Sequence, residues 1–213
     1  MANRNHDLDS PIISAAFAEF LDKGYRSASL RKIASDAGVT IGAIYTRYKT
    51  KDILFCSLVQ PLVDKISAAF STLKEAYFGG EGLSNMDCFS KTMELESSVI
   101  LELLFDEYQM AELLLCRSEG SSLEHFFDII VEKKIEETLQ FFRSCGTAHP
   151  GPEVLKLLIN AQFHMYFQII QEGYPLEEAR KMMDALVVYN TGGWLSLLGQ
   201  TQNLNIGGNE NEV

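Results

Sequence analysis

The sequence predicts an all-α protein, and three observations support this fold class. The 213 residues are 46% hydrophobic with a mean hydropathy near zero, which is enough apolar material to bury one or two sizeable cores. Helix-forming residues run throughout the chain, and apolar residues recur at the three- and four-residue spacing of amphipathic helices. Capping residues, glycines and prolines lie between these stretches, where helices should begin and end.

The first predicted helix opens at Ser10 and Pro11, an N-cap followed by proline at the first helical position. Gly24 ends this helix. No residue in it carries chemistry of its own, and its role is to complete a three-helix core with the two helices that follow. Its predicted buried stripe consists of Ile13, Ala16, Phe17, Phe20 and Leu21.

The stretch from Ser29 to Lys51 predicts two short helices joined by a tight turn. Ser29 and Thr40 are N-caps, because a hydroxyl oxygen can accept a hydrogen bond from an amide of the first helical turn. Gly38 lies where the first helix should end in the left-handed conformation. The side chains expected to face inward are Leu30, Ile33, Ala34, Ala37, Ile44 and Tyr48. A helix, a turn containing glycine and a second helix form the helix-turn-helix pattern, whose second helix enters the DNA major groove.

The same residues carry a family resemblance. Leu30-Arg-Lys-Ile-Ala-x-x-Ala-Gly38-Val-Thr-x-Gly42-x-Ile-Tyr45-x-x-Tyr48-Lys-x-Lys51-x-x-Leu54 resembles the DNA-binding signature of the tetracycline-repressor (TetR) family of bacterial regulators. The resemblance covers roughly residues 10–60 and extends beyond them only in length and helical layout. Thr46 and Tyr48 depart from the aromatic residue and the Phe that many members have there. Thr46 is expected to face the groove, so the operator sequence cannot be taken from a relative.

The resemblance implies a helix-turn-helix DNA-binding domain over residues 1–50 and a ligand-binding and dimerisation domain over 51–199. It implies a homodimer that binds a palindromic operator in double-stranded DNA and responds to a small-molecule effector, more often as a repressor than as an activator. By analogy with the family, phosphate contacts fall to Ser29, Arg31, Thr40, Tyr45 and Lys51, and base-edge contacts to Ile41, Ala43, Thr46 and Arg47. Residues 200–213, rich in Asn, Gly and Gln, are predicted to be a disordered tail.

A fourth helix is predicted from about residue 51 to residue 77, with Thr50 as its N-cap. Pro61 lies inside it and should kink it, because proline has no N–H to donate and its ring clashes with the preceding turn. The helix joins the two predicted domains, so the kink either transmits a signal between them or has no signalling consequence.

The middle of the chain contains the clearest break, at Gly79, Gly80 and Gly82. Helices are predicted over about 85–104 and 106–116. Ser121 and Glu124 have the spacing of a capping box, and the helix after them should reach Arg143. Residues 146–152 are predicted to be a loop.

The last two predicted helices, about 153–172 and 175–198, are joined by only a few residues and should therefore be antiparallel neighbours. Both are apolar around much of their circumference, which indicates cover by a partner subunit. Phe167, Trp194 and Leu197 are the predicted dimer-interface residues. Gly192 and Gly193 lower helix propensity and allow close helix approach; the alternative is that the helix stops at Asn190.

The predicted ligand pocket rests on an excess of aromatic and sulfur-containing side chains, interleaved with a few polar ones. Large apolar walls with few polar groups are typical of small-molecule sites between helices. The alternative is that these aromatic residues fill a solid core. The predicted pocket residues are Phe89, Met93, Phe105, Gln109, Met110, Phe127, Gln162, Phe163 and Tyr166.

The distribution of charge supports a DNA partner although the net charge is −11. Residues 1–51 contain eight Lys and Arg against five Asp and Glu, whereas the remainder contains ten against twenty-four. Such asymmetry is typical of a nucleic-acid-binding segment. A merely solvated basic face is the alternative, which the helix-turn-helix pattern disfavours.

Other functional classes lack their motifs. The chain has no phosphate-binding loop, dinucleotide motif or nucleophile elbow, and its cysteines and histidines lack metal-ligand spacing, so we predict no enzyme, no cofactor and no metal site. A polar N-terminus and the absence of an apolar run near 20 residues predict a cytoplasmic protein without a membrane partner. The alternative function is a protein-interaction adaptor on the same fold that no longer binds DNA. The presence of Arg31, Thr40, Tyr45, Arg47 and Lys51 disfavours it.

Overall fold

The computed structural model describes residues 9–78, 86–144 and 150–200, and every regular element within those ranges is an α-helix. The predicted all-α class is confirmed. In chain order the helices are α1 (Asp9–Ser27), α2 (Leu30–Asp36), α3 (Ile41–Arg47), α4 (Lys51–Phe78), α5 (Met86–Asp106), α6 (Tyr108–Cys116), α7 (Phe126–Ser144), α8 (Pro152–Glu172) and α9 (Leu176–Gln200). The predicted glycine break at 79–82, most of the 146–152 loop and the predicted tail after residue 200 lie outside the described residues.

The described residues form two compact units. The first contains residues 9–65 and 106–125, so α6 and the turns after it join α1, α2, α3 and the start of α4. The second contains residues 66–78, 86–105, 126–144 and 150–200. The functional boundary at residue 50, predicted from the sequence, stays a prediction.

The core of the first unit is built on one face of α1. Ile12, Ala16 and Phe20 are fully buried at four-residue spacing, whereas Ile13 and Phe17 are half-buried. The predicted stripe is therefore rotated slightly, because α1 packs against both α2 and α6. The expected end of the helix at Gly24 is also found, since Gly24 has φ 71° and interrupts the helical geometry there.

The helix-turn-helix forms as its local signals predict. The Ser29 hydroxyl accepts a hydrogen bond from the N–H of Lys32, and the Thr40 hydroxyl accepts one from the N–H of Ala43. Gly38 has φ 65°, a left-handed conformation that other residues adopt at a cost. The N–H of Val39 then donates to the carbonyl of Ala34 (2.9 Å), which closes the turn.

Helix α4 is continuous across Pro61. Its segment Lys51–Leu73 is long and apolar enough, by length and composition alone, to cross a membrane. The expectation that no segment approaches this criterion was therefore wrong. Nearly half of the segment (44%) is buried, and its apolar side chains, among them Leu54, Phe55 and Leu62, belong to the protein core. A buried core helix meets the same criterion, so the finding is weak support for a membrane span.

In the second unit, α7 packs against α8, and the buried side chains of α8 include Leu155, Ile159 and Ile170. The capping box predicted for Ser121 and Glu124, which belong to the first unit, does not form. The Ser121 hydroxyl instead accepts from the N–H of Leu123, and the Glu124 carboxylate accepts from the N–H of Gly120. These bonds close a turn, and α7 begins only at Phe126.

Helix α9 runs without interruption from Leu176 to Gln200, so the alternative end at Asn190 was wrong. Gly192 and Gly193 are exposed on it, and a methyl group added at either would meet no atom within 4 Å. The glycine pair therefore leaves an open, shallow surface on the single chain.

Candidate nucleic-acid interface

All nine residues predicted to contact DNA lie in the first unit. Helix α3 buries Ile44 and presents the opposite face to solvent. Tyr45 (48% exposed) and Thr46 project from this exposed face, while Ile41, Ala43 and Arg47 are half-buried. The Thr46 hydroxyl donates to the carbonyl of Gly42 (2.8 Å), which leaves its lone pairs and methyl group available to a ligand.

The two caps hold the ends of the short helices and place polar groups beside them. The backbone N–H of Ser29 donates to the Glu19 carboxylate (2.9 Å), so the start of α2 is tied to α1. Ser29 and Thr40 are both exposed. Because each hydroxyl accepts from the backbone, its own hydrogen remains free to donate to an anion such as a phosphate.

The two basic residues of α2, Arg31 and Lys32, differ in how accessible their charged groups are to a phosphate. Arg31 is exposed, whereas the ammonium of Lys32 pairs with the carboxylate of Asp36, one turn further along the same helix. The predicted choice of Arg31 rather than Lys32 as a phosphate contact is consistent with this pairing, and it stays a prediction.

The Lys51 ammonium is already engaged by partners within the protein and does not project freely toward a phosphate. Its ammonium donates to the backbone carbonyls of Arg26 (3.2 Å) and Ala28 (3.1 Å) and lies 4.6 Å from the centre of the Tyr25 ring. The site is partly desolvated, and burial lowers the pKa of Lys51. Lys51 thus ties the start of α4 to the segment between α1 and α2.

The Tyr25 ring under Lys51 is itself anchored. It packs edge-on against Phe55 (5.2 Å between ring centres), and its backbone N–H donates to the carbonyl of Arg117 (2.8 Å). Burial raises the pKa of Tyr25, and the nearby Asp52 carboxylate adds to the effect. The Asp52 carboxylate also accepts from the N–H of Ser122 (2.8 Å). Residues far along the chain therefore help to position the start of α4.

Two further exposed residues lie beside the predicted contacts. Gly42 is exposed one turn before Tyr45 and Thr46, and Lys49 is exposed immediately before α4. The three- and four-residue spacing from Gly42 to Tyr45 and Thr46 is the signal that placed it on the same face. A glycine there would let the backbone of α3 approach a groove closely.

The predicted ligand-pocket residues are only partly brought together. In the second unit, Gln162, Phe163 and Tyr166 are buried on α8, and Phe127 is half-buried 6.5 Å from Phe163 between ring centres. Phe105 is half-buried in this unit. Gln109, which is exposed, and Met110 belong to the first unit. The side chains of Phe89 and Met93 lie outside the described residues.

The second unit contains cavities lined by other residues. One of about 160 Å³ lies between α4 and α7, one of about 440 Å³ between α5 and α9, and one of about 480 Å³ between α8 and α9. Sequence reasoning also missed two buried polar side chains in this unit, Glu96 and Ser97, and the half-buried Lys134 that pairs with Glu96. The signal for Glu96 was a charged residue between Leu95 and the apolar run that ends α5.

The predicted dimer residues differ in exposure. Trp194 is buried within the single chain, whereas Phe167 and Leu197 are half-buried. Among the side chains of the last two helices that the structure describes, the large exposed apolar ones are Val154, Leu157, Leu158, Val188 and Tyr189.

Comparisons with known proteins agree with this architecture. Residues 12–58 match the family described as "Bacterial regulatory proteins, tetR family". NalD, the secondary repressor of the MexAB-OprM multidrug efflux pump in Pseudomonas aeruginosa, is 20% identical with a TM-score of 0.58, over 88% of this chain and 97% of NalD. FadR from Bacillus subtilis, solved in complex with stearoyl-CoA, is 18% identical with a TM-score of 0.55, over 84% and 97% of the two chains.

A TetR-like transcriptional regulator from Rhodococcus sp. RHA1 is 17% identical with a TM-score of 0.59, over 90% of this chain and all of that one. Identities this low establish a shared fold, which extends through both compact units, and the N-terminal match adds the family's DNA-binding domain. On these two grounds, residues 12–58 resemble the N-terminal domain of bacterial regulatory proteins of the tetR family, and the chain shares its fold with solved TetR-family regulators.

Proposed function

We propose that this protein is a cytoplasmic, dimeric transcriptional regulator that represses genes from a palindromic operator and is released by a small molecule. The observation that carries the proposal is the capped helix-turn-helix, whose α3 exposes Tyr45 and Thr46 opposite its buried Ile44. One such helix reads only a few base pairs, so two must act on a two-fold symmetric site, with centres about 34–36 Å apart or somewhat more.

In this proposal the polar groups around the helix-turn-helix hold phosphates, and the outer face of α3 meets base edges. The residues that contact DNA phosphates are Ser29, Arg31, Thr40 and Tyr45. The residues that face the groove are Ile41, Ala43, Thr46 and Arg47. Lys51 has a structural role instead, because its ammonium already donates hydrogen bonds to two backbone carbonyls of the protein. It holds the start of α4 against the segment between α1 and α2, and the exposed polar groups contact the phosphates.

The dimer is proposed to form through α8 and α9. Leu157 is 72% exposed on α8, and Val188 and Tyr189 are each 74% exposed on α9. Large exposed apolar side chains of this kind are typical of an interaction site. The open surface at Gly192 and Gly193 lies one turn beyond Tyr189, so a bulky side chain of a second copy has a place to pack. A two-fold interface of this kind repeats the same patch on both subunits.

The effector is proposed to bind in the second unit. Its aromatic side chains and cavities suit a small, mainly apolar molecule. The repressor NalD and the stearoyl-CoA complex of FadR support the class of function through a shared fold, although neither identifies the molecule. A typical coupling energy of about 1–3 kcal/mol would change operator affinity about 5–150-fold.

Selection of bound sequences from a random DNA pool tests the proposal. We expect enrichment of a two-fold symmetric site, bound by two protomers, whose affinity falls steeply with salt. Genes beside matching sites would then suggest effectors for titration. Failure to enrich any sequence, together with binding no tighter than to random DNA, would instead favour the adaptor on the same fold. An effector that stabilises the protein yet leaves operator affinity unchanged would contradict the regulatory part.

A further inference from the structure

The second unit contains a cluster of polar side chains within its aromatic core. Glu96 on α5 is 2% exposed, and its carboxylate pairs with the ammonium of Lys134 on α7. The next residue on α5, Ser97, is bonded through its hydroxyl to the Tyr166 hydroxyl on α8 (3.2 Å). Gln162 also bonds Tyr166. Three helices therefore contribute polar groups to one buried place.

This cluster lies beside the cavity of about 160 Å³ between α4 and α7. Lys134 belongs to both, because it lines the cavity and holds Glu96. Phe70 in the cavity wall is 5.9 Å from Phe163, which is 5.8 Å from Tyr166, measured between ring centres. An apolar ligand in this cavity would therefore have aromatic walls and one charged residue that it can displace.

The side chains of Glu96 and Lys134 differ in how easily each can move out of the ion pair into water. The Glu96 side chain is 3% exposed and fixed near the middle of α5, whereas the Lys134 side chain is 22% exposed on a flexible four-carbon stem. The Lys134 stem is long enough to carry its ammonium into water, where the ammonium regains its hydration. Glu96 cannot follow, and a buried carboxylate left without a cation is strongly unfavourable.

This asymmetry discriminates among ligand charges. An anion that drew Lys134 away would leave Glu96 unpaired, and a neutral ligand would gain nothing from the pair. A cation can take the place of the Lys134 ammonium on Glu96 while Lys134 regains its hydration. The other charged residues that line the cavity are Lys133, which is exposed, and Glu137. These two carry opposite charges, so the discrimination rests on the pair of Glu96 and Lys134.

We propose that the effector is an apolar compound with a protonated amine, whose ammonium replaces that of Lys134 at the Glu96 carboxylate. The proposal rests on the proposed function, since it names the ligand class of the regulator. Lys134 occupies in the free protein the position that the ligand's cation takes in the complex.

The test uses three probes that share one skeleton: 4-phenylbutylamine, 4-phenylbutanol and 4-phenylbutanoate. Their dissociation constants are measured by calorimetry on the full chain. We expect the amine to bind about tenfold more tightly than the alcohol, and the acid to bind most weakly. In Lys134→Met, which removes the resident cation, the amine should gain affinity while the acid should not.

A double variant, Glu96→Gln with Lys134→Met, keeps the test decisive if Lys134→Met fails to fold. Replacing both partners of a buried pair is often neutral for stability, and the double variant should bind the amine no better than the alcohol. Tighter binding of the acid than of the amine, equal binding of all three probes, or no binding by any of them would each overturn the proposal.

Operator affinity, measured with the same probes, separates this proposal from the proposed function. If the amine binds through Glu96 without changing operator affinity, the ligand class holds and the regulatory role fails. If the acid or the alcohol weakens operator binding instead, the regulatory role holds and the ligand class fails.

Discussion

The Lys51 ammonium, at the start of α4, donates hydrogen bonds to two backbone carbonyls and lies over a tyrosine ring. Such a group contributes to the structure of the first unit whether or not it contacts DNA. Family resemblance assigned Lys51 to a phosphate, but its observed partners are Arg26, Ala28 and Tyr25. The two roles predict different dependences on salt, because only a phosphate contact releases counterions.

Lys51→Met should therefore lower stability without changing the salt slope of DNA binding. The loss should be about 1–2 kcal/mol, since hydrogen bonds from a charged donor are strong but this one is only partly buried. Arg31→Met is the matched control: Arg31 is exposed, and losing a phosphate contact there should reduce the log–log slope by about 0.9 per half-site. The measurement is operator affinity over a salt series, well below the melting temperature. A slope change for Lys51→Met equal to that of Arg31→Met would assign Lys51 to a phosphate.

Tyr166 predicts a specific alkaline dependence of stability. Burial, with the nearby Glu96 carboxylate, raises its pKa to about 12. Between about pH 10 and 12 the unfolded chain loses this proton while the native state keeps it, so stability present below pH 10 is lost as pH rises. The loss should be on the order of 2–3 kcal/mol.

Urea unfolding of wild type and Tyr166→Phe at several alkaline pH values tests this dependence. The variant cannot ionise there, so its stability deficit at neutral pH should shrink as the pH rises. A parallel fall in wild type and Tyr166→Phe would contradict the assignment.

At the scale of the element, the last two helices present apolar surface that the single chain does not cover. Phe167 and Leu197 are two of the interface residues that the sequence predicts. Both are half-buried in one chain, however, and a charge there would threaten folding as well as assembly. Exposed positions separate the two effects.

Leu157→Glu and Tyr189→Glu should each yield folded monomers with weak operator binding. In one chain these side chains face solvent, whereas in the dimer the new charge would be desolvated at a cost of several kcal/mol. Sedimentation gives the mass, and circular dichroism confirms the fold. Ile129→Glu on α7 is the control, since Ile129 is 64% exposed on a helix outside the proposed interface. Dimers that persist in both α8 and α9 variants would place the interface elsewhere.

At the scale of the whole molecule, the first unit is assembled from two separate parts of the chain. Ala111, Leu113 and Leu114 of α6 are buried in it. Backbone and side-chain bonds join Tyr25 to Arg117 and Asp52 to Ser122, and Lys65 forms an ion pair with Glu107. The unit that contains the helix-turn-helix therefore depends on residues 106–125.

A fragment that ends at Lys65 should consequently be much less stable than the intact chain. It retains the helix-turn-helix but exposes the apolar surface that α6 covers, worth roughly 25 cal/mol per Å² of buried apolar area. Thermal unfolding followed by circular dichroism measures the difference. A fragment that melts cooperatively near the temperature of the full chain would show that the N-terminal helices need no such support.

The features that were predicted correctly from the sequence depend on local interactions. The all-α class, both caps of the helix-turn-helix, the left-handed Gly38 and the main helices follow from residues within a few positions of one another. So does the family match, because the motif lies in one continuous stretch. Each of these features depends on hydrogen bonds and side-chain spacing inside a single helix or turn.

What only the tertiary structure decided involves residues that are distant in sequence. Ile12 is buried in place of Ile13 because α1 packs against α6, and Lys51 finds its partners near Arg26 and Ala28. The burial of Glu96 likewise depends on Lys134, on another helix. A short stretch of sequence determines its own helices and turns, but which of its faces are covered, and by which charged groups, depends on the distant parts of the chain that pack against it.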